Sequence, residues 1–339
     1  MQLGILIKRV LWIILLLVLG GWIVSGNQTH TAASPTLTKP REVALTYLAR
    51  LPIVSGDAGE AQLWIPLAKT GREQRILRRE VRSPVPYTIH RDSEYGNEIL
   101  HLSVPLPVVQ PLEVAVEYRA LLLGPRQTSA NPPLSPKELP RYLKPQGLLI
   151  IDDEVRARAD QAVAGRMTLS EKARGIYDHV IQHMTYDKTT PGYGRGDTAR
   201  ACQVGKGNCT DFHSLFISMA RAEQIPSRFK IGFLVPSESS GTIPGYHCWA
   251  EFCEGEKGWV PVDASEAWKH PELKDYYFGA RDGNRLLVST GREIRLVPAP
   301  VSGPVNIFFY PYVEVNGKPF DGVKTEFRFR DLGTRAQAG

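Results

Sequence analysis

Six prolines fall between Gly124 and Pro145 (Pro125, Pro132, Pro133, Pro136, Pro140 and Pro145). Each lacks a backbone donor and fixes its own φ, so no regular helix or sheet interior can run through this stretch. It divides the chain into two regions of different texture, which are expected to be joined by a proline-rich linker over 124–147. A length of 339 residues agrees with roughly two domains plus appendages.

Ahead of the linker, 42–123 reads as short strands separated by turns. Val43–Leu48, Ala61–Pro66, Ile76–Val81, Ile99–Val104 and Leu112–Arg119 carry the period of two that a half-buried strand needs, most cleanly in the last. Strands at this spacing imply an all-β, sandwich-like domain.

Behind the linker, 148–333 opens with helices. Asp152-Asp153-Glu154 is an acidic start before Val155–Val163. Thr168-Leu169-Ser170-Glu171 has the spacing of a capping box, and Ala173, Ile176, Tyr177, Val180 and Ile181 form one apolar stripe as far as about Met184. The glycine-rich stretch Thr189–Asp197 has neither a preceding strand nor a Gly-Lys-Ser ending, so it is a loop beside the site and not a phosphate cradle. Gly207-Asn208-Cys209 then opens another apolar-striped helix that ends near Pro226. Strands follow at Arg228–Val235, Tyr246–Cys253 and Trp259–Asp263, the last two joined by a turn centred near Glu256. Further strands are expected at Arg285–Ser289, Glu293–Val297 and Val305–Val315, with disorder from Thr334. The fold class is α+β: a helix bearing a cysteine, followed by an antiparallel sheet.

Residues 1–33 differ from all that follows. Lys8-Arg9 precede an uncharged apolar run, Val10–Val24, and then a polar stretch, which reads as an export signal or a membrane anchor. The two basic residues place the body on the non-cytoplasmic side in either case: anchored at the cell membrane, or secreted or periplasmic if the segment is cleaved. Lys+Arg number 41 against 35 Asp+Glu, but Arg72–Arg82, Arg156, Arg158, Arg281 and Arg285 are scattered among acids. That leaves no nucleic-acid footprint, and Arg72–Arg82 reads as a solvated strand face or a membrane-side surface.

A cysteine in the first turn of a helix faces unpaired N–H groups and the positive end of the macrodipole, both of which favour thiolate. Such a nucleophile needs a base and a group to orient the base. His247 stands early in one strand and Asp263 at the end of the next. Pairing about a turn centred near Glu256 makes them diagonal neighbours within reach of each other. The four cysteines, Cys202, Cys209, Cys248 and Cys253, include no Cys-x-x-Cys element, so neither a zinc site nor a disulfide scaffold is expected.

Gly207–Phe212, Gly245–Phe252 and Gly258–Asp263 together resemble, in order and spacing, the three signature blocks of the bacterial transglutaminase-like superfamily. The resemblance is strong over Leu169–Ala267. It implies a papain-like core with Cys209 as nucleophile, His247 as base and Asp263 as its orienter, and a protein or peptide substrate. No cofactor or metal is implied. Gln203 stands six residues before Cys209, where papain-like enzymes carry their oxyanion glutamine. Trp249 shares a strand face with His247 and is a candidate pocket wall. His213 lies one helical turn past Cys209, its ring directed back toward the first turn, which suits a supporting or substrate-lining place better than a second base. Without an acidic calcium-binding cluster, amide or peptide hydrolysis is expected ahead of amine transfer to glutamine. A non-catalytic peptide or wall-polymer binding module on the same fold is the reading from another class.

Overall fold

The computed structural model describes residues 40–124 and 134–334. The expected signal or anchor over 1–33 and the end of the tail after Thr334 lie outside the described residues. Among the described residues no helix is long and apolar enough to cross a membrane.

Six strands come first: β1 (Arg41–Leu51), β2 (Glu60–Leu67), β3 (Gln74–Arg82), β4 (Thr88–Arg91), β5 (Glu98–Pro105) and β6 (Leu112–Leu122). After the linker come α1 (Asp153–Val163), α2 (Leu169–His183), β7 (Thr185–Tyr186), α3 (Thr198–Val204), β8 (Lys206–Gly207) and α4 (Cys209–Ala222). Next are β9 (Ser227–Leu234), β10 (Ser240–Thr242), β11 (His247–Cys253), β12 (Trp259–Val262), α5 (Ala264–Lys269) and β13 (Arg285–Thr290). The described chain ends with β14 (Tyr312–Val315), β15 (Lys318–Pro319) and β16 (Lys324–Thr334). Of these, β4, β7, β8, β10, β15, β16, α3 and α5 were not expected from sequence.

Two five-stranded sheets, ordered β10-β16-β1-β6-β3 and β15-β14-β2-β5-β4, form the sandwich. The last three strands of the chain therefore enter the sheets that the first six begin, so 42–123 and the end of 148–333 share one architecture. In β16 the alternation is plain: Phe327 and Phe329 are buried, Arg328 and Arg330 exposed. β1 lies between β16 and β6, with Tyr47 opposite Phe327 on one side and Val116 on the other. The expected strand at 293–297 reduces to a single bridge, Ile294 to Val305, and of 305–315 only β14 remains. Pro298, Pro300, Pro304 and Pro311 remove the ladder donors that longer strands would need. In the described part of the linker, Leu139–Tyr142 form a single 3₁₀ turn, and Tyr142 packs against Trp259 with ring centroids 4.8 Å apart. The exposed pattern of β3 agrees with a solvated arginine face, but Arg281 and Arg285 are buried.

The second body is the antiparallel sheet β12-β11-β9-β13, against whose strands β9 and β11 packs α4. α2 begins with the expected capping box, Thr168 accepting from the Glu171 N–H while Glu171 accepts from the Thr168 N–H. α4 is buried along nearly its whole length, which is why its sequence is apolar beyond one stripe. A single hydrophobic cluster runs from β1, β2 and β6 into α2, α4 and β9.

Phe327 joins the two bodies. It packs on Tyr47 of β1, Phe233 of β9 and Phe309, at centroid distances of 4.9, 5.0 and 5.3 Å. Phe327→Ala is expected to cost about 3–5 kcal/mol, the range for deleting a buried phenylalanine, read from chemical denaturation. A loss below ~1 kcal/mol would make β16 peripheral to the fold.

Candidate active site

The site begins at the N-terminus of α4. Asn208 is the N-cap: its side-chain oxygen accepts from the Thr210 N–H at 2.8 Å, and the Asp211 carboxylate returns to accept from the Asn208 N–H at 2.9 Å. Asp211 also accepts from the N–H groups of Gly194 and Gly196, fastening the glycine-rich loop to the helix start. A Cβ on Gly207 would stand 2.2 Å from Asp211 Oδ2, so only glycine lets this cap close. Cys209 is thereby fixed as the first helical residue. Its own N–H is among those that a helix start leaves without an intrahelical partner.

His213 lies behind the thiol. Its Nδ1–H donates to the Cys209 carbonyl at 2.7 Å, and its Nε2 accepts from the Ala264 N–H at 3.1 Å. These two contacts tie α4 to α5, and Nε2 also lies 3.4 Å from Asp263 Oδ1. His213 has no exposed surface.

The opposite wall is the β11–β12 hairpin. Ala250 pairs with Val262 and Cys253 with Trp259, centring the hairpin on Glu256 and setting Asp263 diagonal to His247. Asp263 is also the N-cap of α5, where its Oδ1 accepts from the Glu266 N–H and the Ser265 hydroxyl, each at 2.9 Å. Its Oδ2 lies 2.6 Å from His247 Nε2 and 2.7 Å from Arg285 Nη1. Since Nε2 is committed to the carboxylate, Nδ1 is the imidazole nitrogen left for the thiol.

The structure brings Cys209, His247 and Asp263 together in one buried cluster. Burial pushes the Cys209 thiol up, but hydrogen bonds from Cys248 and His247 and the charge of His247 hold it well below its ordinary range. Burial works against the His247 imidazolium too; the Asp263 carboxylate outweighs it and raises the pKa to about 9. Burial would raise Asp263, yet the charges of His247 and Arg285 hold it well down. Burial and the adjacent Cys209 push Cys248 well above the usual thiol range, leaving it as an S–H donor. The state that follows is a thiolate–imidazolium pair in contact with a carboxylate.

The remaining expectations fall differently. Gln203 is exposed near the end of α3, and its side chain makes no hydrogen bond among the described residues, so the structure does not bring it into this cluster. Sequence spacing missed that α3 and the turn at Gly205 separate it from the helix start. Trp249 has no exposed surface; its ring is stacked 6.4 Å from that of His247, beneath the imidazole and not on an open pocket wall. Glu251 pairs with Arg228 and Lys230.

Three residues at the site were not singled out from sequence. Arg285 contacts Asp263. Glu266 Oε1 lies 4.0 Å from His247 Nδ1 and pairs with Lys269 at 2.7 Å. The Tyr246 hydroxyl accepts from Asn208 Nδ2 and Thr210 Oγ1, each at 3.0 Å, beside the Cys209 helix start. Tyr246 adjoins His247 in the sequence, which was its available signal. Arg285 had none, being one arginine among many.

Residues 156–264 match the family model of the transglutaminase-like superfamily. A protein of Haemophilus influenzae described as uncharacterized is 27% identical over 326 residues, spanning 82% of this chain and 87% of that protein. The crystal structure of a candidate cysteine protease from Cytophaga hutchinsonii superposes with a TM-score of 0.58 at 16% identity, over 88% of this chain and 93% of that one. At that identity the likeness is one of fold.

The electrostatics give a pH window. The ion pair forms as pH rises through the lowered Cys209 pKa and is lost as His247 deprotonates near 9. Iodoacetamide should therefore alkylate Cys209 well below the ordinary thiol pKa of about 8.5, and His247→Gln should return the midpoint toward that value. Wild-type labelling that rises only near 8.5 would contradict the ion pair.

Proposed function

We propose that this chain, a transglutaminase-like superfamily protein, is a thiol enzyme that attacks amide carbonyls through Cys209, His247 and Asp263, with hydrolysis of a peptide or amide as its reaction. The observation that carries the reading is the 2.6 Å contact between His247 Nε2 and Asp263 Oδ2, which leaves Nδ1 to the buried thiol of Cys209. A binding module has no use for a buried, costly set of coupled charges at a helix start.

The Cys209 thiolate attacks the amide carbon, forming a C–S bond and moving the carbonyl electron pair onto oxygen. The Cys209 N–H at the start of α4 stabilises that oxyanion. His247 gives its Nδ1 proton to the amide nitrogen, the C–N bond breaks, and the amine leaves a thioester behind. His247, now neutral, takes a proton from water as the water attacks. The C–S bond breaks, the acid departs, and thiolate and imidazolium are restored. Asp263 holds the tautomer and the charge throughout. A primary amine in place of water would give amine transfer; the chemistry up to the thioester is shared.

A protein or peptide is the proposed substrate, with the body on the non-cytoplasmic side of a membrane and the charged, apolar-led 1–33 segment as signal or anchor. The test incubates the full chain and Cys209→Ala with a peptide library containing glutamine and with a primary amine, following product masses. Cleavage or deamidation by the wild type, falling by at least ~10³-fold in the variant, is expected, as for removal of a covalent nucleophile. Amine addition would replace hydrolysis by transfer. Equal product from both proteins, or none from either, would overturn the enzyme reading.

A further inference from the structure

We infer that Arg285 is a positioning residue of this site: it shares Asp263 Oδ2 with His247 and so limits how firmly the carboxylate holds the imidazolium. The inference rests on the thiol-enzyme reading above and adds a fourth member to its charge set.

Arg285 stands at the start of β13, opposite Leu234 of β9, with a wholly buried side chain. Its Nη1 lies 2.7 Å from Asp263 Oδ2, the oxygen that His247 Nε2 meets at 2.6 Å. Nη1 is off the line of a straight hydrogen bond and Nε has no hydrogen-bond partner among the described residues, so Arg285 acts on Asp263 chiefly by charge. Its Nη2 donates to Asp282 Oδ2 at 2.9 Å, and its guanidinium lies 5.2 Å from the Trp249 ring centroid. Asp263 does not depend on this cation for hydrogen bonding: His247 donates to Oδ2, and Ser265 and the Glu266 N–H donate to Oδ1. A buried guanidinium with an unpartnered nitrogen is expensive and adds little to stability. Its consequence is electrostatic. Two cations on one carboxylate oxygen each reduce the other's attraction, so Arg285 keeps His247 acidic enough to hand a proton to the leaving amine while Asp263 stays ionised.

Other groups face this pair as well. Cys209 and His213 approach from α4, Cys248 from β11, and Glu266 and Lys269 from α5. Tyr177 of α2, and Tyr277 and Asp282 ahead of β13, complete the set. Among them Arg285 alone is a permanent cation in contact with Asp263.

The test compares the full chain as wild type, Arg285→Lys, Asp282→Asn and Asp282→Asn/Arg285→Met. The double variant removes Asp282 together with its partner Arg285 and so keeps the local charge balanced. The readout is the pH dependence of iodoacetamide alkylation at Cys209, followed by mass of its peptide. A lower step reports the ion pair, and an upper step reports loss of the His247 proton, which frees a more reactive thiolate. The upper step is expected to move to higher pH by at least ~0.5 unit, about 3-fold in the ionisation constant, in the double variant relative to Asp282→Asn. Arg285→Lys should return it toward the wild-type position. An unmoved upper step in folded protein would overturn the role of Arg285 and leave the thiol enzyme standing. Absence of the lower step in the wild type would overturn both.

Discussion

A carboxylate removed from water is tolerated only where opposite charge and donors meet it directly, and Asp263 is 1% exposed. The surrounding structure is arranged to meet that demand. β11 brings His247, β13 brings Arg285, and the first turn of α5 supplies a backbone N–H and the Ser265 hydroxyl. Because Asp263 caps α5, the helix that carries Glu266 and Lys269 toward the thiol is itself set by the orienting carboxylate. His213 joins the same helix to α4 through the Ala264 N–H. His247, Asp263 and Cys209 are thus linked by backbone as well as by side chains, and moving one displaces the others.

The place of Cys209 depends on a second buried acid. Asp211 accepts from Asn208, Gly194 and Gly196, pinning the first turn of α4 to the glycine-rich loop. Burial pushes its carboxyl pKa up while those three N–H bonds oppose the shift. Its place is structural: it fixes the direction of the Cys209 N–H, the donor that the proposed mechanism gives to the oxyanion. The core behind α4 is continuous with the sandwich through Phe233, Phe309 and Phe327, so the strands at the two ends of the chain support the sheet that carries His247.

What could be read in the sequence was local. Strand alternation in β6, the capping box of α2 and a hairpin centred on Glu256 each follow from residues close in the chain, and the site inherits its His247–Asp263 geometry from that hairpin. What could not be read depends on distant partners. β16 has a clean alternation, but its neighbour β1 is nearly the whole chain away, so its place in the sandwich was invisible. Arg285 looked like any scattered arginine until the sheet put it on Asp263. Gln203 illustrates the reverse: a spacing borrowed from a related architecture lost its meaning once α3 turned the residue to solvent. The prolines at 298–311 were visible, and they explain why an expected strand shrank to β14.

The central claim is that Cys209 and His247 rest as thiolate and imidazolium above a shared carboxylate. Nitrogen-15 NMR of histidine-labelled protein, with His247→Gln for assignment, observes this without substrate. Both His247 nitrogens should remain protonated from neutral pH to about 9 in the wild type, and replacing the thiolate partner in Cys209→Ser should lower that titration. A His247 that titrates near the ordinary value of about 6.5 with Cys209 intact would contradict the account.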